Sequence, residues 1–292
     1  MRGEALSSRS SSWPRRWALR GTATMRGGPA GRGGMLLLLL GLTLALLGGG
    51  CHPKAPIMPR FAEHDPAEGW EALLRRGDAA LESNTPEGWE AALSAYEAAL
   101  SANPASVEAC WKGAKAAFLL AFSGDSSERR LHFARRGQGF ALRGIEQDPD
   151  CAPCHYYLAL NLGLHAREAP LEAPTLVKSL IAEAKKAAAL DPAFDHAGPY
   201  RLLGRVYTQL PPPPASFGDP DLAVTYLERA VELAPDYPPN RLHLAEAQMA
   251  LEETESARTL LFALLTGTED MPYEGSTLHQ KARELLERLD EE

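Results

Sequence analysis

Two places in this sequence bring together residue types that do chemistry. One is Cys151-Ala152-Pro153-Cys154-His155. Two thiols three positions apart, followed by an imidazole, make the pattern of covalent c-type haem attachment. The same residues could instead form a local disulfide or stay as paired thiols, serve as a redox dithiol, or offer zinc three ligands in need of a fourth. The other place is a set of cations and amides, Lys112, Asn161, Arg201 and Arg205, in a chain rich in acids. What either set can do depends on the elements that carry it.

The chain starts with a segment that cannot pack a core. Residues 1–34 hold seven arginines against one acid, Glu4, and from Met35 the text turns apolar, Leu36 to Leu47, before Gly48-Gly49-Gly50-Cys51. That run is too short for a permanent membrane span and has the length of a signal-peptide apolar region. Basic segment, apolar run, small residues and Cys together resemble the lipobox of bacterial lipoproteins, in which the cysteine becomes the acylated first residue. The sequence departs from that pattern at Gly48, where the family has Leu, with Leu47 one place early. Cys51 is the expected lipidation site, whether translation starts at Met1, Met25 or Met35. Arg15-Arg16 looks like a twin-arginine signal, but a Gly-rich stretch separates it from the apolar run. His52, rather than Asp, after the cysteine points to an outer-membrane lipoprotein facing the periplasm. The expected domains are therefore 1–50, a basic extension and signal peptide; 51–65, a lipidated tether; and 66–292, the folded body.

Removing residues 1–50 leaves 23 basic and 37 acidic side chains, net −14. So acidic a body argues against nucleic acid and against electrostatic binding to anionic lipid. Membrane attachment is expected from acyl chains on Cys51 alone.

After the tether, four segments end alike, at Pro104, Pro149, Pro192 and Pro235, spaced by 45, 43 and 43 residues. Each proline stops a helix, because its ring lacks an N–H and pushes the preceding residue out of the α region. The clearest unit has Tyr200, Leu203, Gly204 and Tyr207 on a first helix and Ala223, Tyr226, Ala230 and Pro235 on a second. These resemble the signature of tetratricopeptide repeats. The second-helix pattern returns as Ala92, Tyr96, Ala99, Pro104 and as Gly137, Ala141, Gly144, Pro149. Small residues sit where two helices cross closely and large ones fill the gaps. The reading is an all-α, tetratricopeptide-like helical-hairpin solenoid of about five helix pairs plus a C-terminal capping helix. Its helices are expected at 67–83, 87–102, 105–122, 128–147, 152–166, 172–190, 197–210, 219–234, 239–251 and 254–266, with the cap at 276–290.

The stretched repeat, the Leu-Gly-Arg-Val-Tyr text, the proline-rich 210–220 segment and Ala-Val-Thr-Tyr-Leu-Glu-Arg-Ala on a lipoprotein resemble the T component associated with TRAP-type solute transporters. The specific part of that likeness is about 200–235. It implies a partner in a periplasmic solute receptor and passage of an apolar ligand through the stack.

Taking Trp111, Tyr156, Tyr200 and Leu242 as equivalent, the next residue in each repeat faces the groove: Lys112, Tyr157, Arg201 and His243. One turn on come Ala116, Asn161, Arg205 and Ala247, and Asn240 and Arg241 extend the row. Lys112, Asn161, Arg201 and Arg205 would then form a basic stripe, resembling the carboxylate clamp by which some tetratricopeptide proteins hold a peptide C-terminus. The alternative is that these groups are solvated or paired with acids of the neighbouring second helices.

Cys151 to His155 begin the first helix of a repeat, and Tyr156, Ala159, Leu160 and Gly163 continue its signature. A haem there would displace neighbouring helices, so a disulfide or paired thiols takes precedence; Cys110, beside Trp111, reads as a small buried residue. No phosphate loop, nucleophile elbow or metalloprotease motif is present in the sequence, and neither a catalytic role nor a cofactor is expected. The functional expectation is a periplasm-facing lipoprotein that docks a protein partner, a solute-binding protein of a TRAP-type system. A structural assembly lipoprotein of an outer-membrane or envelope machine is the alternative, and a haem or dithiol redox protein a minor one.

Overall fold

The computed structural model describes residues 69–266 and 274–291, with side chains from 278 in the last segment. Cys51 and the tether lie outside the described residues. Eleven helices are described: α1 (Trp70–Leu81), α2 (Pro86–Ala102), α3 (Val107–Phe122), α4 (Ser127–Gln147), α5 (Ala152–Glu168), α6 (Ala173–Leu190), α7 (Phe194–Gln209), α8 (Pro220–Leu233), α9 (Pro238–Ala250), α10 (Thr254–Thr266) and α11 (Glu274–Glu291). The fold is an all-α, tetratricopeptide-like solenoid of five hairpins closed by α11.

Helix starts follow from the local text. Thr85, Ser106, Ser126 and Asp219 each accept a hydrogen bond from the backbone N–H three residues on, at 3.0 to 3.2 Å. That satisfies one of the donors a helix start leaves orphaned. Pro86, Pro153, Pro220 and Pro238 lie in first turns, where no N–H is needed.

Within the hairpins, Ala92, Ala99, Ala141, Ala184, Ala187, Ala223 and Ala230 are completely buried. A β-carbon on Gly204 would stand 2.3 Å from Leu227 Cγ, so α7 and α8 approach as closely as a glycine permits. Leucines and tyrosines between these contacts, Tyr96, Leu120, Leu203 and Leu227 among them, fill the core.

First helices pack on the first helices of the next pair, α3 on α5, α5 on α7 and α7 on α9, while successive second helices do not pack appreciably on one another among the described residues. The row of first helices is thus the inner side of the stack, the one a solenoid offers to partners. α11 covers the open end of α10, burying Leu278, Ala282, Leu285 and Leu289 and turning its charged text outward.

One helix departs from expectation. Asp195, His196 and Ala197 have φ of 52°, 55° and 60°, a left-handed turn ahead of the regular part of α7. For non-glycine residues that conformation costs roughly 1–2 kcal/mol each, so surrounding contacts must hold it.

Candidate functional site

The inner row carries two clusters of aromatic and charged side chains. The first spans α1, α3, α5 and the start of α7. Trp111 stacks on Tyr157 with ring centroids 6.1 Å apart and planes 9° from parallel. Phe194 meets both edge-on, at 6.3 Å from Trp111 and 6.2 Å from Tyr157. Trp111 and Phe194 stay partly exposed and Tyr157 is buried beneath them. Beside this platform lies a recess of about 390 Å³, lined by Leu81 and Glu82 of α1 and its end and by Trp111, Lys112, Lys115 and Leu119 of α3. Lys112 Nζ is held by Asp78 (2.8 Å) and Glu108 (2.6 Å). Burial works against its charge, but these two bonds outweigh it and raise its pKa.

The second cluster lies between α7 and α9. Arg201 is buried and donates to the carbonyls of Asp195 and His196, to Asp195 Oδ2 (2.9 Å), to Asn240 Oδ1 (3.1 Å) and to the Tyr156 hydroxyl (3.4 Å). Its guanidinium lies 4.8 Å from the Tyr237 ring centre, and His196 stacks on the same tyrosine at 4.4 Å. Asn240, fully buried, donates to the His196 carbonyl as well. These contacts fasten the left-handed turn. Burial opposes the charge of Arg201, yet Tyr156 and Asp195 more than restore it.

Arg205, one turn on, is different. Its Nε is buried without a hydrogen-bond partner, and burial lowers its pKa, with Glu246 opposing and Arg201 adding to the shift. His243 Nδ1 and Glu246 Oε2 bond at 2.7 Å. Burial and the two arginines keep His243 below the usual imidazole range despite that bond.

The expected stripe is therefore not continuous. Arg201, Arg205 and His243 come together; Lys112 and Tyr157 belong to the aromatic end. Asn161 belongs to neither and is corrected to a core residue: it is fully buried, and its Nδ2 donates to the carbonyls of Ala114 (3.2 Å) and Tyr157 (2.7 Å). A β-carbon on Gly137 would lie 2.2 Å from its Oδ1, so α4 presses directly on it. Arg201 and Lys112 are internally paired, as the alternative to the stripe had it, though with Asp78 and Glu108 for Lys112 and Asp195 for Arg201 rather than with acids of second helices, because burial makes an unpaired charge costly. Phe194, Asp195 and Tyr237 went unread because they lie outside the helical period.

Cys151 and Cys154 form a disulfide with Cα atoms 5.3 Å apart at the start of α5. The residues do not fit a haem. Cys154 is fully buried, with its Sγ only 2.6 Å from where a Gly144 β-carbon would stand. His155 places Nδ1 on Glu183 (2.5 Å) and Nε2 on the Pro149 carbonyl (2.9 Å), leaving neither nitrogen for a metal. Cys110 is buried, and burial pushes its thiol up to about 11, so it stays protonated at neutral pH.

Residues 215–270 match the family model of the tetratricopeptide repeat. The described residues form a tetratricopeptide-type α-solenoid, a fold whose repeat stacks present extended surfaces to partners. Among solved structures the chain is similar to a thermophilic tetratricopeptide protein of Thermus thermophilus, 19% identical, with 75% of this chain and 99% of that chain covered and a TM-score of 0.57. It is also similar to the pilF protein of Pseudomonas aeruginosa, 16% identical, covering 75% and 91%, with a TM-score of 0.51. At these identities the likeness is one of fold. By sequence the chain matches none of the curated proteins. No helix among the described residues is long and apolar enough to cross a membrane.

Proposed function

We propose that the chain is a periplasm-facing lipoprotein, anchored through Cys51, whose inner helix row docks a solute-binding protein of a TRAP-type transport system. The observation that carries docking is the partly exposed Trp111–Phe194 platform beside the Lys115 and Leu119 recess. Aromatic rings that are fixed by neighbours, yet reachable, make strong anchors because little side-chain entropy is lost on binding. The resemblance at 200–235 to the T component supports the choice of partner.

The test is crosslinking in intact cells followed by mass spectrometry of what is captured, with wild type and Trp111→Ala. Capture of a solute receptor by wild type, reduced about ten-fold or more in the variant, is the expected result. Recovery of envelope-assembly components instead would overturn the transport reading in favour of an assembly lipoprotein.

A further inference from the structure

We propose that Cys110, Cys151 and Cys154 form a disulfide switch, in which the bond moves from Cys151–Cys154 to Cys110–Cys154 and ties α3 to α5 behind the docking platform. The regulatory part of the proposal rests on the docking reading above.

Gly144 of α4 carries the geometry. A β-carbon there would stand 2.6 Å from Cys154 Sγ, 3.5 Å from Cys154 Cβ and 3.0 Å from Cys110 Cβ, so the two cysteines crowd one point and glycine puts no side chain on it. The Cβ–Cβ separation that a disulfide needs, about 4 Å, falls within those radii. Cys110 holds a free thiol. It and Cys154 are completely buried, whereas Cys151 keeps a little exposure.

The step needs no outside oxidant. The Cys110 thiolate attacks Cys154 Sγ, the Cys110–Cys154 bond forms as the Cys151–Cys154 bond breaks, and the electron pair leaves on Cys151 Sγ. That sulfur takes up a proton in place of the one Cys110 gave to solvent, so the chain keeps one disulfide and one thiol among the three. Cys151 suits the part of leaving group. Its Sγ caps α5, accepting from the Cys154 N–H at 3.1 Å, and a helix start stabilises negative charge on sulfur. A thiol stabilised as thiolate leaves faster and is the one favoured in the free form. Burial pushes the Cys110 thiol up to about 11, with Arg143 of α4 drawing it down and Glu146 of α4 raising it. The attacking thiolate is therefore scarce at neutral pH, and the exchange should speed about ten-fold per pH unit below that value.

The effect reaches the inner row through the chain. Cys110 precedes Trp111, and Cys154 lies one turn before Tyr157, so bonding the two sulfurs shifts Trp111 against the ring on which it stacks.

The test maps the sulfurs of the full-length protein. Trypsin separates Cys110 from Cys151 and Cys154, so the moved bond joins two peptides and is read by mass spectrometry after acid quenching and blocking of free thiols. Wild type held at about pH 9 without reductant should accumulate the joined pair with Cys151 blocked, roughly ten-fold faster than one pH unit lower. Cys110→Ala should give none. Cys151→Ser in a glutathione redox buffer should pair Cys110 with Cys154. Two results would overturn the switch: a wild type that keeps only Cys151–Cys154 under those conditions, or a Cys151→Ser protein of native helical content in which Cys110 and Cys154 are each blocked singly. With the bond formed, Cys151→Ser should capture roughly ten-fold less partner than the same variant after reduction; equal capture would sink the regulatory part. The sulfur map needs no partner, so failure to capture a solute receptor counts against the docking reading alone, and a missing joined peptide against the switch alone.

Discussion

α5 and α7 hold the same place in consecutive repeats, but their beginnings are secured in different ways. At α5 the means are local: Cys151 caps the helix by accepting from the Cys154 N–H at 3.1 Å, the disulfide closes the same four residues, and Pro153 sits in the first turn. At α7 the start is a left-handed turn of three non-glycine residues, with the Ala197 N–H on the Ala193 carbonyl at 3.1 Å as its one backbone closure. It is fastened by Arg201 from within the helix and by Asn240 from the following pair. The Tyr156 hydroxyl of the preceding pair bonds to Asp195 Oδ2 at 2.7 Å. The α5 start takes its capping bonds from its own residues, whereas the α7 start takes bonds from three repeats and so ties them together. The α7 arrangement also brings Phe194 onto Trp111, so the strain at 195–197 helps to build the proposed docking platform.

The sharpest way to break this contrast is Arg201→Met. It should destabilise by about 3–5 kcal/mol, because Asp195 and two backbone carbonyls lose a buried charged donor. It should also change the fluorescence of Trp111 as Phe194 shifts; unfolding at the wild-type midpoint in urea would show the turn to be self-supporting. The corresponding stress on α5 is Gly137→Ala, which drives a methyl into Asn161. A loss of about 2–3 kcal/mol by urea unfolding is expected, and a neutral result would mean that α4 can move aside.

Reduction of Cys151–Cys154 is the next largest effect. Closing so short a loop contributes about 2 kcal/mol, and a Tm measured with and without dithiothreitol should fall by several degrees while helical content is retained. The smallest effect is at the left-handed turn itself. His196→Asn should stay within about 0.5 kcal/mol of wild type, since Asn tolerates this region, whereas His196→Val should cost about 1–2 kcal/mol. If the two variants unfold together, the turn is not left-handed in solution.

Much of the architecture was legible because it rests on local rules. The expected helices 128–147 and 254–266 correspond to Ser127–Gln147 and Thr254–Thr266, and the other described helices lie within a few residues of expectation. Caps and prolines fix such boundaries wherever they occur. The candidate site was legible only in part. Equivalent positions in the repeats were identified from spacing, but Asn161 and Arg205, each one turn beyond Tyr157 and Arg201, have opposite fates. At Asn161 the neighbour is Gly137, which admits a buried amide and no more. At Arg205 the neighbours across the gap are His243 and Glu246, already bonded to each other.

By itself, then, the sequence determined the all-α class, the number and limits of the helices, the close crossings at alanine and glycine, and the placing of Cys151 at a helix start. These depend on hydrogen bonds and side-chain periods that reach no further than a turn or two. Only the tertiary structure decided which cations are spent, how the left-handed turn at 195–197 is held, and that Phe194 joins Trp111. Each of those draws on residues brought together from separate helices, Asp78 with Lys112, Asn240 with His196 and Trp111 with Phe194, and whether a charge is satisfied is a property of its surroundings in space rather than of its place in the chain.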